Sequence, residues 1–311
     1  MSSPGSSLTT AAAASLGAAA RRVWLFAVCI VATCLVFVGP LSRFVRYALS
    51  NDNASHTILI PLICCWLLYV ERDRIFRSLG SDVPTALAFF LAGAFTAAIA
   101  SFTGFHWSEL NRVSLYLFAL LLLWVSAFAL WFGRRALRAA RFPLTFLLFT
   151  IPFPDFLLDK VIYFLQKGTT EIAAVLFDWS GVPVIRDGFV FHLAHANIEI
   201  ARECSGIRSS VALLLLAILV AHFYLRTFWK QALIVLVGLF VMILKNGVRV
   251  VTLTLLASYV DPSFLFGKLH RQGGVVFFLL GLALLAPLLW LLERSEPKSV
   301  ARPSDSSAAH Y

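Results

Sequence analysis

The feature that most constrains this chain is its succession of apolar blocks, each near the length a helix needs to cross a bilayer. A crossing takes about 20 residues. Runs that reach or approach that length cover residues 23–41, 57–70, 83–102, 113–132, 142–153, 209–225, 231–258 and 273–292. The chain is 60% hydrophobic, against about 45–50% for ordinary soluble domains. Its mean hydropathy is +0.85. The expectation is an all-α polytopic membrane protein with about eight transmembrane helices. The run at 57–70 is short for a span and contains Pro61, so its ends are the least defined.

The ends of the chain read differently. Residues 1–20, rich in Ser, Ala and Thr, read as a disordered tail, and residues 293–311 as a polar cytoplasmic tail. Arg21-Arg22 ahead of the first apolar run resembles a signal peptide. The run is long for that role and no A-x-A-like site follows, so it reads as an uncleaved first span. A net charge of +10 points to nucleic acid in a soluble protein, but no basic-aromatic cluster of the kind such sites need is present. Here the basic residues set topology. With the N-terminus inside, the inner loops hold Arg21, Arg22, the clusters at 72–77 and 134–141, Arg226, Lys230, Arg294, Lys298 and Arg302. The short outer loops hold only Arg43, Arg46, Arg112, Lys268 and Arg271. That bias favours both termini in the cytoplasm and an even number of spans.

Between the fifth and sixth runs lies a long outer segment, residues 154–208. Its first part, Asp155–Trp179, carries Phe156, Leu157, Val161, Ile162 and Leu165 at helical spacing, with Asp159, Lys160 and Lys167 between them. It reads as an amphipathic helix at the membrane surface; a ninth crossing is the alternative, and it would spoil the even count. Residues 182–185 and 189–193 read as a β-hairpin turning at Asp187-Gly188. Residues 197–201 alternate again and add a third strand, which leads into Cys204.

The chemistry-bearing residues gather by topology. Of the five cysteines, Cys29, Cys34, Cys64 and Cys65 lie inside apolar runs, where cysteine behaves as a small hydrophobe. Cys204 alone has a polar context, Glu203-Cys204-Ser205-Gly206. A thiolate attacks carbonyls well once a cation or a helix N-terminus stabilises it. Ser205 and Gly206 ahead of an apolar helix supply such a terminus, and Gly206 permits a tight turn and close approach. A buried, inert cysteine at a helix cap is the plain alternative. Arg249 lies within an apolar run, three residues after Asn246, so the two share a helix face. An arginine within a span is costly and usually faces a polar cavity; snorkelling to the interface is the alternative, and neighbouring Lys245 and Asn246 favour the cavity. Its role there is to stabilise a developing oxyanion. His270, just before the last run, can act as general acid or base near neutral pH, or simply be solvated. Glu203 is a partner for Arg249 or Arg202, an orienting group for His270, or a solvated charge. His192, His195 and His222 read as incidental. In the orientation given above, Cys204, Arg249 and His270 meet on the outer face. No zinc-type ligand spacing is present, and no metal or organic cofactor is called for.

The run Glu203-Cys204-Ser205-Gly206-Ile207-Arg208-Ser209, then Asn246-Gly247-Val248-Arg249, then His270 with Gly273-Gly274, resembles the exosortase/archaeosortase family of multi-pass membrane proteins. The resemblance is good over residues 143–292 and looser before them, where Ser55-His56, Pro61 and Trp66 match an early helix. It implies a sorting enzyme of the bacterial inner membrane. Such an enzyme acts on exported proteins that end in a short motif, a hydrophobic helix and a basic cluster. Cys204 would be the nucleophile, Arg249 the oxyanion-stabilising group and His270 the acid/base. The protein would pass to a surface acceptor through a thioester, in bacteria that make exopolysaccharide. The partners implied are membrane-anchored substrates, an acceptor nucleophile and the bilayer. Some members carry an additional C-terminal periplasmic domain, whereas this sequence ends soon after its last apolar run. Two other readings remain open: a cysteine protease with water as acceptor, and a non-enzymatic component of exopolysaccharide assembly. A transporter would show internal repeats, and no clear repeat is visible.

Overall fold

The computed structural model describes residues 4–51, 56–77, 79–102, 107–193, 197–202, 207–265 and 274–296. They are mostly helical and divide into two compact units, residues 1–159 and 160–311.

The first unit holds α1 (Pro4–Val36), α2 (Val38–Ser50), α3 (Leu59–Val70), the single turn α4 (Arg72–Ile75), α5 (Val83–Phe102), α6 (Glu109–Ala139) and α7 (Arg141–Phe146). Helix α1 reaches back to Pro4, through the Ala-rich stretch read from sequence as a tail; alanine is the best helix former. The first apolar run does not continue to Leu41 as one helix. It divides at Phe37, because Pro40 has no N–H to offer the preceding turn and fits only the first turn of a new helix.

Helices α5 and α6 pack along each other. Gly93 makes the approach close: a Cβ there would lie 3.1 Å from the Ala119 carbonyl oxygen and from Leu123. The pair is tied by the Ser126 hydroxyl, which donates to the Ala86 carbonyl at 2.7 Å. The Asp82 carboxylate receives the Thr85 backbone N–H and hydroxyl at the start of α5. At Gly133, with φ of 82°, the backbone leaves helical geometry within α6. A Cβ there would crowd the Gly80 backbone at 3.0 Å, and only glycine adopts that φ without strain. The aromatic rings of Phe26, Phe76, Phe128 and Phe132 fill the neighbouring core.

The second unit takes most of α8 (Asp155–Trp179), the strands β1 (Ile185–Asp187), β2 (Val190–His192) and β3 (Asn197–Glu199), and the helices α9 (Ile207–Tyr224), α10 (Phe228–Tyr259) and α11 (Gly274–Arg294). The strands form one antiparallel sheet in the order β1-β2-β3, with Asp187 opposite Val190 and Val190 opposite Glu199. The two-residue turn is therefore Gly188-Phe189, one position later than the Asp-Gly turn read from sequence. Gly188, at φ of 57°, occupies the first central position, where a type II′ turn takes glycine.

Among the described residues, five helices are long and apolar enough to cross a membrane: Ala19–Val36, α5, α6, α10 and α11. The count rises to six if the bent pair Arg141–Thr150 and Asp155–Trp179 is one span. These match five of the eight apolar runs. The runs at 57–70 and 209–225 form shorter apolar helices. The run at 142–153 breaks into α7 and a short 3-10 turn, Leu147–Thr150, before Pro152 and Pro154. Helix α3, at 12 residues, extends only about 18 Å at 1.5 Å per residue. Large apolar side chains face outward along these helices, among them Trp24, Leu91, Phe95, Phe240 and Leu279. Water would not tolerate so continuous an apolar exterior. Helix α8 has the expected bounds, but its buried face is partly polar, with Gln166, Thr169 and Thr170 inside and Tyr163, Phe164 and Trp179 exposed.

Candidate functional site

The polar residues that the second unit buries come from three helices. On α10, Lys245 and Asn246 are each 1% exposed and Arg249, a turn further on, is half-buried. The Asn246 amide donates to the Thr169 hydroxyl of α8 at 3.1 Å. The Lys245 ammonium donates to the Ser209 hydroxyl in the first turn of α9 at 2.7 Å. Ser210, Thr169 and Thr170 are fully buried. In hydrocarbon, polar side chains at this depth need each other; the three helices supply partners for Lys245 and Asn246, while the Ser210 hydroxyl makes no hydrogen bond among the described residues.

Small residues bring these helices close enough. A Cβ on Gly247 would lie 2.4 Å from Ile172, and one on Gly168 would lie 2.9 Å from Ile243, so α8 and α10 meet backbone against side chain. Gly281 of α11 leaves room for the Lys245 stem, 3.3 Å from where its Cβ would be.

The sheet holds the chain on its way to Cys204. Phe191 packs at a tilt against Phe177 of α8 with ring centroids 5.2 Å apart, within a core that includes Ala173, Ile200 and Val251. Arg186 makes a two-pronged pair with Glu171 of α8, at 2.8 and 3.0 Å. Ile200 is fully buried; its N–H donates to the Phe189 carbonyl, and its own carbonyl accepts from the Gln166 amide. Ile207 is buried in turn at the start of α9. Ile200 and Ile207, which flank the stretch that carries Cys204, are thus each anchored within this unit.

Of the residues singled out in the sequence, Asn246 and Arg249 lie on one face of α10, as their spacing requires. Glu203, Cys204, Ser205, Gly206 and His270 fall outside the described residues, as does His195. His192 pairs its ring with Asn197 across the β2–β3 ladder at 2.9 Å, a local strand contact. His222 packs on Phe223. Among the other cysteines, Cys64 is buried and Cys65 exposed on α3, and Cys29 and Cys34 are half-buried on α1. The sequence reading passed over Gln166, Thr169 and Thr170 on α8, and gave Ser209 of α9 no role beyond its place in the motif. The spacing of the three α8 residues, i, i+3 and i+4, puts them on one face with Leu165, Ala173 and Phe177, but the charged residues elsewhere on α8 draw the eye away from that stripe.

A bundle of apolar helices that buries a lysine, an asparagine and hydroxyls beside a half-buried arginine defines a multi-pass membrane protein with an internal polar site. The model of the transmembrane exosortase family matches residues 46–287, well over half the chain, and the protein belongs to that family. No curated protein and no solved structure matches it.

Proposed function

We propose that this protein is a membrane-embedded cysteine transpeptidase that cleaves the C-terminal sorting signal of exported proteins and passes them to an acceptor. The family match carries the reading, since Cys204, Arg249 and His270 all fall within residues 46–287. The buried polar cluster on α8, α9 and α10 supports it. Asn246 and Arg249 lie on the helix where the reading needs an oxyanion donor, and Ile200 and Ile207 fix the flanks of the nucleophile's segment. In this mechanism the Cys204 thiolate attacks the scissile carbonyl, and the Arg249 guanidinium donates to the tetrahedral oxyanion. His270 protonates the departing amine as the C–N bond breaks, leaving a thioester on sulfur. An acceptor nucleophile then attacks the thioester and the thiol is restored. The substrate's hydrophobic helix lies in the bilayer, with both termini of the enzyme cytoplasmic and the chemistry on the outer side of the inner membrane.

The test is co-expression with a candidate tail-anchored substrate. Processing is expected in the wild type and lost in Cys204→Ala; Arg249→Ala and His270→Ala are expected to lower it at least about 100-fold, the scale of one oxyanion donor or one acid/base group. Persistent processing in all three variants would sink the assignment. Mass spectrometry of the product separates transfer, which adds a moiety, from hydrolysis, which leaves a free carboxylate.

A further inference from the structure

The first unit holds a cavity that the proposed chemistry does not use. It lies between α2 and the start of α6 and has a volume of about 450 Å³, within the size range of ligand pockets. From α2 it is lined by Arg43, Arg46, Tyr47 and Ser50, and from α6 by Glu109 and its neighbours. The four α2 residues stand at i, i+3, i+4 and i+7, one stripe of a helix. The rest of α2 is apolar, in two parts. Phe44 and Ala48 are buried with Val113 and Leu117 of α6. Val38, Val45 and Leu49, at i, i+7 and i+11, are exposed.

A helix with one apolar face in the core, another facing outward and a basic stripe between them suits the boundary plane of a bilayer. The placement agrees. Helix α2 follows the end of the crossing helix Ala19–Val36, and Glu109 opens the crossing helix α6. The cavity therefore sits at one end of this unit's spans, with arginines at headgroup level and hydrocarbon beside them. Arg46 borders the outward apolar stripe, one helical turn from Leu49.

Neither guanidinium is locked in place. Arg43 pairs with Glu109 at 3.7 Å, both side chains more than a third exposed, and an exposed pair of this kind is weak. Arg46 is exposed and is held by a long bond, 3.4 Å, to the Ser42 carbonyl of its own helix. Both can turn to a ligand. Burial and the Asp155 carboxylate push the Tyr47 phenol up, so it keeps its proton and donates. Asp155 itself takes the Ser108 hydroxyl. Two guanidinium forks, a phenol and a serine hydroxyl match the oxygens of a phosphate. Glu109 can accept from hydroxyls further out on a headgroup.

We propose that this cavity binds the headgroup of an acidic phospholipid, with the phosphate on Arg43 and Arg46 and the acyl chains along Val38, Val45 and Leu49. The site needs no assumption about the reaction at Cys204.

The test measures binding of fluorescent phosphatidylglycerol to the purified full-length protein in detergent. Unlabelled phosphatidylglycerol, phosphatidylcholine and inorganic phosphate serve as competitors. Phosphatidylglycerol should compete at least about tenfold better than either of the others, the scale of one bond to a charged group. Arg46→Gln should weaken binding at least about tenfold on the same ground, and Arg43→Gln/Arg46→Gln further. Arg135→Gln/Arg138→Gln removes two exposed charges near the other end of α6 and should bind as the wild type does. Arg46 is exposed, so the single variant carries the test if the double variant does not fold. Unchanged binding in Arg46→Gln overturns the site, as does an equal loss in the Arg135/Arg138 control. Inorganic phosphate competing as well as phosphatidylglycerol overturns the lipid in favour of a free anion. Phosphatidylcholine competing equally overturns the preference for an acidic headgroup.

Discussion

The contact between α8 and α10 gives the sharpest prediction, because it depends on one missing methyl group. In Gly247→Ala the new Cβ would stand 2.4 Å from Cγ2 and 2.9 Å from Cβ of Ile172. Carbon atoms rest at about 3.5–4.0 Å, so the shortfall exceeds about 1 Å. Ile172 cannot swing aside easily, since the clashing atoms sit on and next to its own Cβ and a β-branched side chain is stiff. The helices must separate locally, which stretches the neighbouring Asn246–Thr169 bond from its 3.1 Å. Overpacking of this kind costs about 1–3 kcal/mol, and alanine recovers up to about 1 kcal/mol of helix propensity. At about 2–4 °C per kcal/mol, a net loss of about 1–2 kcal/mol lowers the midpoint of thermal unfolding in detergent by about 2–8 °C. Gly17→Ala is the control: it lies in α1 with nothing within 4 Å of the added Cβ, and it should melt no lower than the wild type. Adding Ile172→Ala to Gly247→Ala should recover part of the loss, giving a coupling of about 0.5–3 kcal/mol. If Gly247→Ala melts at or above the wild type and the two substitutions add independently, the close crossing of α8 and α10 is refuted.

Two further outcomes follow from the same unit. Thr169→Val takes from Asn246 its hydroxyl acceptor in a fully buried setting, and should cost about 1–3 kcal/mol in detergent unfolding; an unchanged midpoint would contradict the bond. Glu296 joins the end of α11 to the start of α10, accepting from the Arg226 and Thr227 N–H groups and the Thr227 hydroxyl, with Lys230 at 3.6 Å. Burial pushes its carboxyl up, but the bonds from Thr227 and Arg226 and the Lys230 charge outweigh that and hold it below the ordinary 4.5. A lowered folded value means that its stabilisation is full above about pH 4.5 and is lost as pH falls through the lower folded value. The stability difference between wild type and Glu296→Gln should therefore shrink on acidification below that point; a difference constant from pH 7 to pH 3 would disprove the linkage.

The sequence was most legible where one physical signal dominates. Long apolar stretches became long helices, and the alternation before Cys204 became strands. Asn246 and Arg249 share a face because helical period alone requires it. Legibility failed where two signals compete. Residues 142–153 are apolar enough for a span, yet Pro143, Pro152 and Pro154 each withhold an N–H, so the segment becomes short helical pieces. In the first run Pro40 does the same, and α2 begins at Val38. At the hairpin, Asp187-Gly188 and Gly188-Phe189 are both glycine-containing turns, and the pairing of Phe191 into the core selects the second. The polar stripe of α8 was hidden for a different reason. Gln166, Thr169 and Thr170 carry no charge, so they stand out only once α10 is seen to lay Asn246 against them.

Ile200 and Ile207 bracket the nucleophile's segment like two nails holding a short cord. One is driven into the sheet and α8, the other into the start of α9. Natural variation in this protein should therefore keep a large apolar side chain at both 200 and 207, since trimming either one empties a filled place in its core at a cost of about 2–5 kcal/mol.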